Sequence, residues 1–342
     1  ESEPFRMKIS SEVYGLRFLQ TAPVFIGWNK QTGRKKRGMT MDYQWYPGHM
    51  TKAKRMMQEN VRLVDLVIEI LDARVPLSSR NPDVDQLAQG KQRMIILSKA
   101  DLADPELTAE YVNYFTKKKI EAIALDARTR KANTQIMKAL SKITKEKKER
   151  DQKRGIRNRP VRAMICGIPN VGKSTFINSL SGRSSAKTGN KPGVTKGKQW
   201  ISFAGLELLD TPGILWPKFE DQNVGVRLAL VGSIRDEILD EEDLARRLLD
   251  ILLRRYPSLL RDRYFVSDDA KDAVEIPEQS EYNDRELHEI LVQIAAVRNL
   301  LKSGAEPDPV RAAHLLLDDF RSGRIGRITL DELPEAANKS EE

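Results

Sequence analysis

Residues 95–102 read IILSKADL, and residues 167–174 read GIPNVGKS. The order of these two stretches decides the fold. The second follows the apolar run VRAMICG (161–167) and matches GxxxxGK[ST], a phosphate-binding loop between a strand and a helix. Its glycines let the backbone wrap close to a phosphate, so that the amides of Asn170, Val171, Gly172, Lys173, Ser174 and Thr175 can point at it. The helix that follows adds its positive end. Lys173 is expected to bridge the β- and γ-phosphates, and the Ser174 hydroxyl to ligate Mg²⁺.

Two features downstream strengthen this reading. Thr195, in KPGVT, is placed to complete the Mg²⁺ shell with triphosphate bound, which makes 183–197 a candidate switch loop. DTPG (210–213) ends a strand. Asp210 is expected to hold Mg²⁺ through water, and the Gly213 amide to face the γ-phosphate. DxxG alone is weak, but its spacing after a phosphate loop and a threonine gives it weight.

The base-reading element is missing from its usual downstream place, because 220–320 reads as helix throughout. The only candidate is upstream: Ser98-Lys99-Ala100-Asp101, at the end of an apolar strand. Asp101 can accept from the guanine ring N–H and amino group, an edge adenine does not offer. Lys99 can lie over the base, and the Ala127 amide can meet the guanine carbonyl. Ser98 stands where asparagine is usual, which predicts weaker guanine affinity. A site is assembled in space, and a doubly wound sheet can be cut and rejoined elsewhere. The expected fold is therefore α/β: a circularly permuted P-loop GTPase domain with a mostly parallel sheet, followed by an all-α C-terminal domain. Strands are expected at 63–73, 93–98, 121–125, 161–167, 198–203 and 206–210, and a helix at 105–118 capped by Asp104.

The domain map places an extension or leader at 1–40, the GTPase domain at 41–218, the helical domain at 219–335 and a polar tail at 336–342. Residue 1 is Glu, and Met39 or Met41 is a candidate initiator. The net charge of +9 favours an anionic partner, nucleic acid first and a membrane surface second. The Lys-rich stretch at 133–150 reads as helix; the basic run that follows, to Arg162, is a solvated linker, an RNA-contacting surface, or both. The single Cys166 excludes an internal disulfide and fits a reducing compartment. No run of 18 or more apolar residues predicts a membrane span.

The motifs WYPGHM (45–50), DARVPLSSRNP (72–82), GIPNVGKST, PGVTKGKQW, DTPGILWP and LALVGSI, in this order, closely resemble the ribosome biogenesis GTPase A family. The resemblance covers roughly 42–320. It implies GTP hydrolysis to GDP, Mg²⁺ as cofactor, and action in late maturation of the large ribosomal subunit. The implied partners are GTP and GDP, the subunit precursor and its rRNA. A monomer in the cytoplasm is expected, or in a mitochondrion or plastid if the source is eukaryotic. Ile214 stands where Ras-like enzymes carry a water-orienting glutamine. The resemblance offers His49 of PGHM as substitute, although a histidine at a helix start can also cap or pack. Asn170 either helps hold K⁺ beside the phosphates, as in related GTPases, or only shapes the loop. His288 and His314 are expected to be surface or packing residues. Two rival readings stand: a P-loop NTPase of other base specificity, and an RNA-binding assembly scaffold with a structural nucleotide.

Overall fold

The computed structural model describes residues 55–126, 131–156, 159–181, 199–234 apart from 204, 212, 214, 217–218 and 220, then 240–265 and 281–334. Its strands are β1 (Leu66–Asp72), β2 (Gln92–Ser98), β3 (Glu121–Ala124), β4 (Val161–Cys166), β5 (Gln199–Phe203) and β6 (Leu206–Asp210). They form a 6-stranded sheet in the order β3-β2-β1-β4-β6-β5. Neighbours are parallel except β5 and β6, which pair as an antiparallel hairpin. β1 (LVIEILD) is buried along its whole length. A parallel strand covered on both faces needs such a continuous apolar run.

Around the sheet lie α1 (residues 55–61), α2 (Asp83–Leu87), α3 (Pro105–Lys117), α4 (Lys131–Lys153) and α5 (Lys173–Ser181). The Asp104 carboxylate caps α3 by accepting from the amides of Glu106 and Leu107, as the sequence predicts. α4 runs further than its apolar pattern suggests. Ala132, Ile136, Ala139, Leu140 and Thr144 are buried at helical spacing. Beyond them Lys147 bonds Asp65 at 2.6 Å and carries the helix into the basic run read as linker.

Five helices follow: α6 (Gln222–Leu230), α7 (Glu241–Arg255), α8 (Pro257–Tyr264), α9 (Asp284–Val297) and α10 (Pro309–Ser322). Asp240, Asn283 and Asp308 cap α7, α9 and α10, and Asn283 forms a full capping box with Glu286. One apolar cluster joins Leu248, Leu291 and Leu316 of the helices to Ile70, Ile165 and Leu208 of the sheet. α10 ends at Gly323 in the left-handed conformation. The span read as helical ends differently: residues 324–333 form no helix or strand.

Candidate functional site

From the middle of the sheet the strands lie in the order β1, β2, β3 one way and β4, β6, β5 the other, so the chain leaves β3 at one edge and returns to the middle at β4. The crevice beyond the carboxyl ends of β1 and β4 is therefore a topological switch point, where doubly wound sheets bind ligands. The loops after β1, β2, β4 and β6 converge there.

The loop after β4 is held by close backbone approach. A Cβ on Gly167 would lie 2.5 Å from the Ile70 carbonyl oxygen. Asn170 sits at φ 61°, and its side-chain amide donates to the Gly232 carbonyl at 2.6 Å. Lys173, at the start of α5, donates to the carbonyls of Gly167 at 3.1 Å and Ile168 at 2.7 Å. Burial lowers its pKa to about 8, with Asp210 acting against the shift. The loop after β6 lies directly on this one. Thr211 donates to the Ile165 carbonyl at 2.7 Å. A Cβ on Gly213 would meet the Pro169 nitrogen at 2.8 Å and Lys173 Nζ at 2.9 Å.

The loop after β2 abuts the phosphate-type loop although Ser98 lies 73 residues before Val171 in the chain. The Ser98 hydroxyl shares its one proton between the carbonyls of Leu71, at 2.9 Å, and Val171. Its oxygen is 3.6 Å from where a Gly172 Cβ would stand. Ser98 is therefore buried beneath the loop and braces it. Lys99, at φ 55°, reaches back to Asp72 Oδ2 at 2.8 Å. Asp72 also takes Arg74 Nε at 2.9 Å and Nη2 at 2.8 Å. Burial would push the Asp72 carboxyl up, but the Arg74 and Lys99 cations outweigh it and hold it far below the usual carboxylate range. Burial in turn draws the Lys99 ammonium down, against the pull of Asp72. Ala100 and Asp101 follow, partly exposed, and the Ala100 amide points at the Leu125 carbonyl of the loop after β3, at 3.5 Å.

Ser174 and Asp210 offer a hydroxyl and a carboxylate, hard oxygen donors of the kind that suit Mg²⁺. Among the described residues no cluster of three or more His, Cys, Asp or Glu is placed to hold a metal. That donor set fits an ion whose shell phosphate and water complete. Asn170, the candidate for K⁺, donates through its Nδ2 to the Gly232 carbonyl. Thr175, in the first turn of α5, is partly exposed. His49, Ala127, Thr195 and Ile214 lie outside the described residues. His288 and His314 pair with Glu242 at 2.8 Å and Glu241 at 2.6 Å, in the helical region. Cys166 is buried, and burial pushes its thiol far up.

Sequence reasoning missed the Asp72–Arg74 pair. Its only local signal is a carboxylate and a guanidinium two residues apart at the end of an apolar strand. It also missed the hold that residues 324–333 take on the loop after β2, which leaves no local signal at all. Among the described residues no helix is long and apolar enough to cross a membrane.

The family described as 50S ribosome-binding GTPase matches residues 162–291. Ribosome biogenesis GTPase A of Priestia megaterium is 43% identical over 298 residues, covering 86% of this chain and 99% of that protein. Mitochondrial ribosome-associated GTPase 1 of Bos taurus is 31% identical, over 84% of this chain and 88% of its own length. The GDP-bound structure of YlqF from T. maritima matches with a TM-score of 0.59 at 29% identity, covering 82% of this chain and 100% of that one.

Proposed function

The chain belongs to the ribosome biogenesis GTPase A family, and from that premise we propose how its site binds and hydrolyses GTP and what triggers it. It is a circularly permuted GTPase of ribosome assembly. In its GTP state it docks on the precursor of the large ribosomal subunit and its rRNA, and docking stimulates hydrolysis. The observation that carries this reading is the contact of Ser98 with Val171, which sets the base-reading corner against the phosphate loop. The basic residues Lys138, Lys145, Lys148, Arg150 and Lys153 of α4 face solvent and support an anionic partner.

In this reading Lys173 turns its donors from the Gly167 and Ile168 carbonyls to the β- and γ-phosphates. The backbone amides from Asn170 to Thr175 and the start of α5 take up phosphate charge. Ser174, Asp210 and Thr195 would hold Mg²⁺, which would supply charge neutralisation at the phosphates. The Gly213 amide faces the γ-phosphate. Asp101 accepts from the guanine edge, Ala127 donates to its carbonyl, and Lys99 lies along the base with its ammonium steered by Asp72. Ile214 cannot orient a water, so His49 takes that role once the subunit has docked. Asn170 helps hold K⁺ beside the phosphates.

GTP turnover with and without large subunits, in potassium or sodium, tests this. Wild type should be stimulated by subunits, and more so in potassium. His49→Ala should keep GTP affinity while losing about 100-fold of the stimulated rate. A turnover rate that added subunits leave unchanged rejects the reading.

A further inference from the structure

The loop after β2 carries the residue that reads the base, yet much of its outer backbone is satisfied from the far end of the chain. Arg327 Nη2 donates to the Ala100 carbonyl at 3.0 Å, and Arg327 Nε to the Ala103 carbonyl at 2.9 Å. The Ile328 amide donates to the Leu102 carbonyl at 3.0 Å. The Asp104 amide donates to Thr329 Oγ1 at 3.1 Å. These bonds bracket Asp101 on both sides, across 224 to 227 residues of chain.

The bracketing segment is itself fixed at both ends. At its start, a Cβ on Gly323 would lie 2.7 Å from Leu102 Cδ2, so the turn out of α10 is packed onto the same loop. At its end, the buried Asp331 carboxylate accepts from the amides of Leu77 at 2.7 Å and Ser78 at 2.8 Å, and from the Ser78 hydroxyl at 2.6 Å. Between them the Leu330 amide donates to the Arg74 carbonyl at 2.7 Å. The strap therefore joins the loop after β1 to the loop after β2 over the outside of the corner.

We propose that residues 324–333 are a specificity-determining strap, with Arg327 as the positioning residue that aims Asp101 at the guanine edge. This rests on the reading of Asp101 as the base acceptor. A charged guanidinium pinning the carbonyls on either side of Asp101 restricts the backbone torsions that set its carboxylate direction. The ordering entropy is then met in folding rather than in binding, which raises affinity for guanine and for nothing else on the nucleotide. The phosphate loop has no bond to the strap among the described hydrogen bonds, so phosphate binding is left alone.

Equilibrium binding of GDP, ADP and XDP to the full chain tests this. Arg327→Ala should weaken GDP about tenfold, as loss of two charge-assisted bonds predicts, and leave ADP unchanged, so the GDP-to-ADP ratio falls. Arg327→Lys, which keeps the charge and at most one of the two bonds, should recover part of that ratio. Thr329→Val isosterically deletes the bond from the Asp104 amide, together with a 3.4 Å one to the Ala73 carbonyl, and should weaken GDP about threefold, which keeps the test intact if Arg327→Ala does not fold. Asp101→Asn should shift preference from GDP to XDP. If it does and the ratio is unmoved in the strap variants, or GDP and ADP weaken together, the strap has no part in specificity. If Asp101→Asn produces no shift, the base reading fails and takes the strap proposal with it.

Discussion

Lys173 is a cation held in the interior against the carbonyls of its own loop. Burial costs its charged form, which is why its pKa falls from 10.5 to about 8. Below about 8 both folded and unfolded chains carry the proton, and the folded chain bears the full desolvation cost. Between about 8 and 10.5 the unfolded chain holds a proton the folded chain has shed, so the nucleotide-free protein gains stability as pH rises through that window. GTP affinity should fall over the same window, because the neutral amine no longer attracts phosphate. Lys173→Met removes the buried charge and should raise or preserve the melting temperature without nucleotide, while weakening GTP about 100-fold. Melts and binding isotherms at pH 7.5 and 9.5 check both signs. The lysine itself was legible in GIPNVGKS. Its neighbour across the site was legible only in part: Ser98 was placed at the strand end where asparagine is usual, but its bonds to the Leu71 and Val171 carbonyls were not readable. A one-letter pattern gives the residue at a strand end but not which way a short hydroxyl turns.

Among the elements, the joint between β4 and α5 is the least tolerant. Gly167 has φ +149° and no room for a Cβ, because the Ile70 carbonyl of the neighbouring strand is in the way. Gly167→Ala should therefore cost about 3 kcal/mol, combining a clash with backbone strain. Gly205, in the β5–β6 turn, has φ +79° but open space around it. Gly205→Ala should cost only about 1 kcal/mol, the conformational part alone. Urea titrations of the two variants give the comparison, and equal losses would contradict it. The strands and helices around these joints were readable from apolar runs and from caps such as Asp104. So was most of α4, read at 133–150 and running Lys131–Lys153; its last turn enters the basic run read as linker, beyond the ion pair of Lys147 with Asp65, where charge on a helix face leaves no apolar period to find.

In the whole molecule, the sheet and the helices that follow share one apolar core, in which Leu208 and Ile165 belong with Leu248, Leu291 and Leu316. Polar contacts cross the same boundary: Asn170 to Gly232, Arg74 Nη1 to the Arg321 carbonyl at 3.3 Å, and Asp331 to Ser78. Neither part can open without exposing the other, so a calorimetric scan should show a single cooperative transition. Two resolved transitions would show that the shared core does not couple them. The sequence by itself determined the class of the sheet, the GIPNVGKS and DTPG loops, and the upstream SKAD corner as the element to be brought beside them. Each of these is local, built from strand and helix periods or from residues a few places apart. Only the tertiary structure decided that Asp72 pairs with Lys99, that Gly232 takes the side chain of Asn170, and that residues 324–333 strap the loop after β2. Those contacts end mainly on backbone carbonyls and amides, which every residue carries. A donor such as Arg327 is chosen by where the chain folds back, and nothing in the residues around it records that.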